Sequence, residues 1–534
     1  MRSAFSLLKK QRPMPSYSSG QSAAELNRAF QMARKANDEW FRYTRGRFLS
    51  DETHEMAIRY VEFNMDELVK RAAESVGFTS AQCIRIEKFP DGMFNKTFLF
   101  TMQDGTQVVG KVPNPNAGRA HYTTASEVAT MDFVRNELRT PVPKVLAWSS
   151  KAEDNLVGAE YIIMEKVAGV QLSKVWPEMG IKERFELVKT ISGYQKAWMS
   201  MSFTQYGSLY YSSDTDDTDG CDLVKGDGSV TKNQGFAVGP STGREFLDDG
   251  RMALEFDRGP WSSAEQYKSA VGLREIVCVQ NMTRLPRSFL SLYGPGTYCR
   301  SRSKKVAALQ NYLRLVKYLL PTDQSITSAF LWHPDLHAEN IFVHPERPAE
   351  PYFLDYDGPP STDLEPPAFP ENFDKLDPVA QADAQDLYLK MSLAALYRRF
   401  TYNNNKTLFK AMKFRQTTSF EMLLFAQNLL IDGEALYQSR CLDLEKEWTT
   451  LPGVQASGYP PFPLQFSADE VALIDEDVSG AIRGQLWPEK GVVRPEQYDE
   501  VKRLLKQAKA ELIDRLAHSE TERAAWEESW PFDD

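Results

Sequence analysis

The stretch from residue 82 to residue 164 admits few folds. Residues 82–89, 96–102 and 107–112 read as strands, the last two joined by the hairpin signal Gln103-Asp104-Gly105-Thr106. A helix then runs from a cap at Thr123 or Thr124 through Leu138, with Val128, Met131 and Val134 on one face. Strands return over 144–148 and 159–164. Three strands, a helix and two strands make a small β-rich lobe over residues 76–167. Upstream, residues 25–75 read as a polar helical extension with Trp40, Phe41 and Tyr43 as packing points, and helical periodicity is clear over 65–76. Downstream, helices are predicted over 181–199, 303–320, 383–400, 416–448 and 496–525. The expected class is α+β: a small sheet lobe and a large, mainly helical lobe over 168–534.

That order of elements is the order of a kinase-like nucleotide lobe, and it assigns roles. Lys111 ends the third strand, where such a lobe places the lysine that contacts the α and β phosphates. Glu127 lies early in the helix, where a carboxylate holds that lysine in place. Taken singly, Lys111 reads as an exposed strand lysine and Glu127 as a solvated helix position. The turn Pro90-Asp91-Gly92-Met93-Phe94-Asn95 is placed to cover phosphates, yet it holds one glycine and is not G-x-G-x-x-G. Met164-Glu165-Lys166-Val167 is the expected hinge between lobes, with backbone groups at Glu165 and Val167 toward adenine. Val112 and Ile162 are either walls of that pocket or plain core.

A second constellation lies far along the chain. Residues 331–343 read Leu-Trp-His-Pro-Asp-Leu-His-Ala-Glu-Asn-Ile-Phe-Val, and Leu-Asp-Tyr-Asp-Gly follows at 354–358. Asp335 and Asn340 keep the spacing of H-R-D-x-x-x-x-N. Asp355 falls where the metal-holding Asp after the next strand belongs. Phosphoryl transfer needs a carboxylate to accept the proton of the attacking group and hard oxygen ligands for Mg²⁺. Asp335 suits the first role, and Asn340 and Asp355 the second. His333 reads as support for the loop, and His337 stands where protein kinases carry a lysine near the γ phosphate. Two other readings stay open. His333, Asp335 and His337 at two-residue spacing suit metal ligands on a strand edge, and also a hydrogen-bonded turn without chemistry.

Composition excludes several alternatives. The chain has 534 residues and a net charge of −10, which disfavours a general nucleic-acid surface. No apolar run reaches membrane-spanning length. Five cysteines are scattered without a C-x-x-C pair, as ordinary thiols rather than a zinc module or disulfide framework. The first 24 residues carry Arg2, Lys9, Lys10 and Arg12, six serines and no acid. They fit a mitochondrial presequence and, equally, a plain basic terminus. Residues 201–263, rich in Gly, Ser, Asp and Thr, read as an insertion with short strands, a lid or substrate loop. Within them 214–222 misses the calcium-loop register and reads as solvated acid. Asp363, Glu365, Asp374 and Asp377 suit either a cationic acceptor or a solvated loop. Trp487, Trp526 and Trp530 read as anchors of the last helices.

The form H-x-D-L-H-x-x-N resembles the aminoglycoside and choline phosphotransferases. The likeness extends to Thr-Thr-Ala-Ser-Glu-Val-Ala-Thr-Met-Asp-Phe at 123–133, Pro-Val-Pro-Lys-Val-Leu-Ala-Trp at 141–148 and Gly-Ala-Glu-Tyr-Ile-Ile-Met-Glu-Lys at 158–166. Together these blocks resemble the fungal proteins of the aminoglycoside phosphotransferase (APH) family related to altered inheritance of mitochondria protein 9, from residue 38 to residue 530. The resemblance implies a bilobal protein-kinase-like fold and a mitochondrial address. It also implies Lys111, Glu127, Asp335, Asn340 and Asp355 as the nucleotide, base and metal positions. The expected activity is ATP- and Mg²⁺-dependent phosphorylation of a hydroxyl on an acceptor that the family does not define. The rivals are a mitochondrial pseudokinase acting through partners, and another nucleotide reaction such as adenylyl transfer or ATP hydrolysis.

Overall fold

The computed structural model describes residues 38–215, 220–288, 291–344, 368, 372–485 and 492–532. The basic N-terminal stretch, Asp355, Asp363, Glu365 and Trp487 lie outside these residues. The described chain opens irregularly where residues 25–75 read as helix. Asp38–Trp40 is one 3₁₀ turn, Arg47–Phe48 a two-residue strand (β1) and Glu52–Ala57 a short helix. The reason is packing: Trp40, Phe41 and Phe63 turn into the core beneath the sheet, and that bends the segment around it. Met65–Glu74 (α1) is the regular helix of this region. Asn64 caps it by accepting from the Glu67 N–H at 3.2 Å. Met65, Leu68, Val69, Ala72 and Ala73 form its buried stripe.

That stripe covers one face of a five-stranded antiparallel sheet. Its strands are Cys83–Lys88 (β2), Asn95–Met102 (β3), Gln107–Pro113 (β4), Val145–Ser149 (β5) and Tyr161–Glu165 (β6), in the order β2-β3-β4-β6-β5. Phe98, Phe100, Met102, Val108, Val112 and Ile163 fill the space under α1. Tyr122–Asn136 (α2) packs beside β5 and β6. All the strands expected between residues 82 and 164 are present, with ends shifted by one or two residues.

After β6 come a two-residue strand, Val170–Gln171 (β7), and the helix Ile181–Trp198 (α3). The segment 201–263 carries the short strands expected of it, and they are packed into the body. Its strands Met201–Phe203 (β8), Ser208–Tyr211 (β9), Cys221–Lys225 (β10), Val230–Asn233 (β11) and Phe236–Gly239 (β12) form a three-stranded sheet, β11-β10-β8, and a pair, β12-β9. Phe203, Leu209, Cys221, Leu223, Phe236 and Val238 are buried against Ala129 and Phe133 of α2 and against Trp198. The polar composition of this segment belongs to its turns, while its short strands carry a core.

The rest is mainly helical. Ala264–Asn281 (α4) and Arg302–Leu319 (α5) lie together, and Leu309, Tyr312, Leu315 and Leu319 of α5 sit in the largest apolar cluster. Phe342–Val343 forms β13, followed by Pro378–Asn404 (α6), Lys406–Phe414 (α7), Thr418–Phe425 (α8) and Glu434–Glu447 (α9). The single helix expected over 416–448 breaks before α9, where Gly433 adopts φ 100°. Ala468–Arg483 (α10), Val492–Val493 (β14), Tyr498–Leu516 (α11) and Glu520–Ser529 (α12) complete the chain. Ser519 starts α12 by accepting from Glu522 N at 3.1 Å, so the expected C-terminal helix is two helices. Trp526 and Trp530 are buried with Tyr498, Ile513, Phe532 and Leu49, as helix anchors should be. β14 pairs antiparallel with β1, which ties this end of the chain to the segment before α1.

Candidate functional site

β4 sorts its residues by face. Val112 points into the core beneath α1, so it is core and not a wall of a nucleotide pocket. Its neighbour Lys111 points the opposite way, as period two demands. Ile162 stands directly across from Lys111 on β6 and is 2 % exposed. The Lys111 ammonium donates to both carboxylate oxygens of Glu127 at 2.5 and 2.6 Å. Lys111 keeps 17 % of its side chain exposed and Glu127 35 %, so the pair is reachable. These residues lie sixteen positions apart on a strand and a helix, and the sheet order brings them together.

At the hinge, Glu165 exchanges bonds with the start of β5. Its N–H donates to Lys144 O and its carboxylate accepts from Lys144 N, both at 2.9 Å. Arg135 of α2 lies 3.4 Å from the same carboxylate. The Glu165 side chain is therefore spent on closing the sheet edge. Half-buried Val167 follows in the connection to β7. Gly169 ends that connection at φ 107°, and a Cβ there would collide with the Val343 carbonyl. The close approach lets β7 pair antiparallel with β13.

That pairing delivers the loop. Leu172 N donates to Ile341 O at 3.0 Å and Ser173 N to Ala338 O at 3.2 Å, while Gln171 Nε2 donates to Glu339 O at 2.9 Å. Leu336 packs into the cluster under α2, and Ala338 and Ile341 pack with Leu172, Leu187 and Ile191. The polar residues between these anchors are left on the open side. Asn340 Nδ2 donates to Asp335 O at 2.8 Å, to Asp335 Oδ2 at 3.0 Å and lies 3.2 Å from His337 Nε2. Asp335 N donates to His333 Nδ1 at 3.2 Å, which requires that nitrogen unprotonated. Desolvation in the crowded loop lowers the His333 pKa, which agrees with that bond, although part of the ring stays exposed. Asp335 keeps 72 % of its side chain open to water. Among the described residues no group of three His, Cys, Asp or Glu converges to hold a metal ion.

For Mg²⁺ the fit is in part visible. Asn340 makes its described side-chain bonds through Nδ2, so Oδ1 is the atom left as a hard oxygen ligand. Asp355 lies outside the described residues. Of the acids weighed for a cationic acceptor, Asp377 instead caps α6, accepting from Val379 N and Ala380 N at 3.0 and 3.1 Å.

One short segment touches both halves of this arrangement. Thr44 donates through N and Oγ1 to Asp91 Oδ2 at 2.8 and 2.7 Å, in the turn expected to cover phosphates. The next residue, Arg45, reaches Glu339 of the loop at 3.4 Å. Turn and loop thus meet across one peptide unit. Neither contact was legible in the sequence, because both join residues far apart in the chain and neither belongs to a motif.

Lys96, one residue beyond the turn, is wholly buried and donates to Arg59 O at 2.7 Å and Asn114 Oδ1 at 3.0 Å. Burial pushes its pKa down from 10.5 to about 8. The unfolded chain therefore binds the extra proton between those values, and the Lys96 contribution to stability rises with pH across that window and is lost below it. Chemical denaturation of wild type and Lys96→Met at pH 7.5 and pH 10 should show wild type gaining on the variant as pH rises. A constant gap between the two would contradict the assignment.

These features define the class as a mixed helix-and-sheet protein in which a strand lysine, a helix glutamate and an H-x-D-L-H-x-x-N loop are set by one fold. No protein-family profile matches the chain. A subtelomeric hrmA-associated cluster protein of Aspergillus fumigatus is 27 % identical, over 85 % of this chain and 97 % of that protein. The mitochondrial protein named altered inheritance of mitochondria protein 9 of Saccharomyces cerevisiae is 23 % identical over 83 % of each chain. A solved Thermobifida fusca structure, described as a fructosamine-3-kinase, shares 13 % identity and covers 79 % of this chain and all of its own. Its TM-score is 0.31, too low for a shared fold to rest on. Among the described residues no helix is long and apolar enough to cross a membrane.

Proposed function

We propose that this chain is a mitochondrial, ATP- and Mg²⁺-dependent phosphotransferase of the APH type, with a bilobal kinase-like fold, acting on a hydroxyl of a small-molecule acceptor. The Lys111–Glu127 pair carries the reading: the two residues were expected from their register on strand and helix, and they meet as an ion pair in a chain that also carries a loop with kinase spacing. The mitochondrial address rests on the names of the yeast relatives and on the basic N-terminal composition.

In this reading Lys111 donates to the α and β phosphates, and Glu127 orients it. Backbone groups at Glu165 and Val167 meet adenine. Asp335 takes the proton of the acceptor hydroxyl as its oxygen bonds to the γ phosphorus, and ADP leaves. His337 assists near the γ phosphate, and His333 holds the Asp335 backbone. Asn340 and Asp355 would hold Mg²⁺, which neutralises phosphate charge when bound.

The test is the thermal midpoint of the full chain with ATP, with and without Mg²⁺. Wild type should be stabilised, by about 2.7 kcal/mol at a hundredfold excess over Kd. Lys111→Ala should lose the shift, and Asp355→Asn should lose its Mg²⁺ dependence. No shift at millimolar ATP would sink the reading. The one-glycine turn favours a second reading, a nucleotide-binding pseudokinase acting through partners. ATP binding without ADP release would favour it, and pyrophosphate release would indicate adenylyl transfer.

A further inference from the structure

The turn 90–95 has one glycine where a mobile phosphate loop would have several, and its conformation is held by a different device. Asp91 is fully buried, and its Oδ2 accepts three bonds: from Thr44 N, from Thr44 Oγ1 and from Lys88 Nζ at 2.8 Å. Lys88 spends its other two protons on Glu39 O and Arg42 O at 2.7 and 2.9 Å. Further contacts grip the rest of the turn. Asn114 N donates to Phe94 O at 2.8 Å, Asn116 Nδ2 to Met93 O at 3.3 Å, and the Arg244 guanidinium lies 3.8 Å from the Phe94 ring centroid. The segment doing the gripping is itself fixed. Arg47 pairs with Glu52 and stacks 3.6 Å from the Tyr498 ring centroid, and β1 pairs with β14.

A buried carboxylate with three charge-assisted or hydroxyl donors is a strong local restraint. A glycine-rich loop folds onto phosphates because its backbone is free to do so. A turn clamped through Asp91 has that freedom removed, and its backbone groups are presented in a set place. We propose that Thr44 and Asp91 are positioning residues for the phosphate end of the nucleotide site: they hold the turn 90–95 over the phosphates from a segment that lies outside the sheet. This rests on the nucleotide-site reading above. Neither residue touches nucleotide in this account; each acts through the turn.

The experiment titrates the full chain with Mg-ATP and, separately, with adenosine, by calorimetry. The proteins are wild type, Thr44→Ala, Thr44→Ser and Asp91→Asn. Thr44→Ala keeps the backbone bond to Asp91 and loses the hydroxyl bond, so it retains part of the clamp even where Asp91→Asn fails to fold. Its affinity for Mg-ATP should fall roughly tenfold, the scale of one hydrogen bond to a charged group, with adenosine affinity unchanged. Thr44→Ser should restore ATP affinity to about wild-type level, because it returns the same donor. Equal losses for ATP and adenosine, or no loss for either, would overturn the clamp while leaving the nucleotide site standing. A wild type that binds neither ligand would overturn the nucleotide site and the clamp with it.

Discussion

Asp335→Asn is expected to lower ADP release by about 10²–10⁴-fold, the usual contribution of a positioned general base, while leaving Mg-ATP binding intact. The side chain is 72 % exposed, so a neutral isostere creates no cavity and buries nothing unpaired. Its partners Asn340 Nδ2 at 3.0 Å and His337 Nε2 at 3.5 Å need only an acceptor oxygen, which an amide supplies. The loop is held elsewhere, by Leu336, Ala338 and Ile341 in apolar clusters and by the β7–β13 pair. In the proposed mechanism, what the change removes is a base. The check is ADP formation from ATP in a metabolite extract that supports wild-type turnover, beside the Mg-ATP thermal shift of the same variant. Wild-type rates in the variant would remove Asp335 from the mechanism.

The largest expected loss of stability is at Glu275. It is fully buried and accepts from Arg251 Nε and Nη2 at 2.8 and 3.0 Å, Arg274 Nε at 2.7 Å and Leu430 N at 3.1 Å. One carboxylate thus joins the end of the 201–263 segment, α4 and the approach to α9. Both arginines are also buried, and Arg274 already leaves Nη1 and Nη2 without a protein partner. Glu275→Ala strips the compensating charge from Arg274 and leaves Arg251 with Asp249 alone at 2.8 Å, and breaking such a buried set costs about 3–5 kcal/mol. A denaturant titration measures it. Adding Arg274→Met should recover part of the loss, because the uncompensated charge goes with it. A loss under about 1 kcal/mol would mean that water reaches the cluster.

The sheet was legible from residues alone because each of its strands announces itself locally. β3 and β4 are rich in Phe, Thr and Val and are joined by Gln103-Asp104-Gly105-Thr106, and α1 carries an unbroken apolar stripe from Met65 to Ala73. The Lys111–Glu127 pair was legible for the same reason, since register on a strand and a helix is a local quantity. Between residues 38 and 64 the helical reading failed: Trp40 and Phe41 were legible as packing points, but composition does not say that they turn under the sheet with Phe63. In the 201–263 segment turn residues outnumber the apolar ones, so its short strands were legible but the core they make was not. Two helix breaks, at Gly433 and before Ser519, were masked by continuous helix-forming sequence on either side.

By itself, the amino-acid sequence determined the order of strands and helices from residue 65 through residue 164. It also determined the spacing of Asp335 and Asn340 and the choice of Lys111 and Glu127, because these follow from period, cap and turn chemistry within a few residues. Tertiary structure alone decided that Val112 turns to the core and Lys111 away from it. It decided that Gly169 lets β7 approach Val343, and that Thr44 and Arg45 join the turn 90–95 to the loop at Glu339. Each of those depends on a partner tens to hundreds of residues away, and no local preference encodes which distant group will fill a given space.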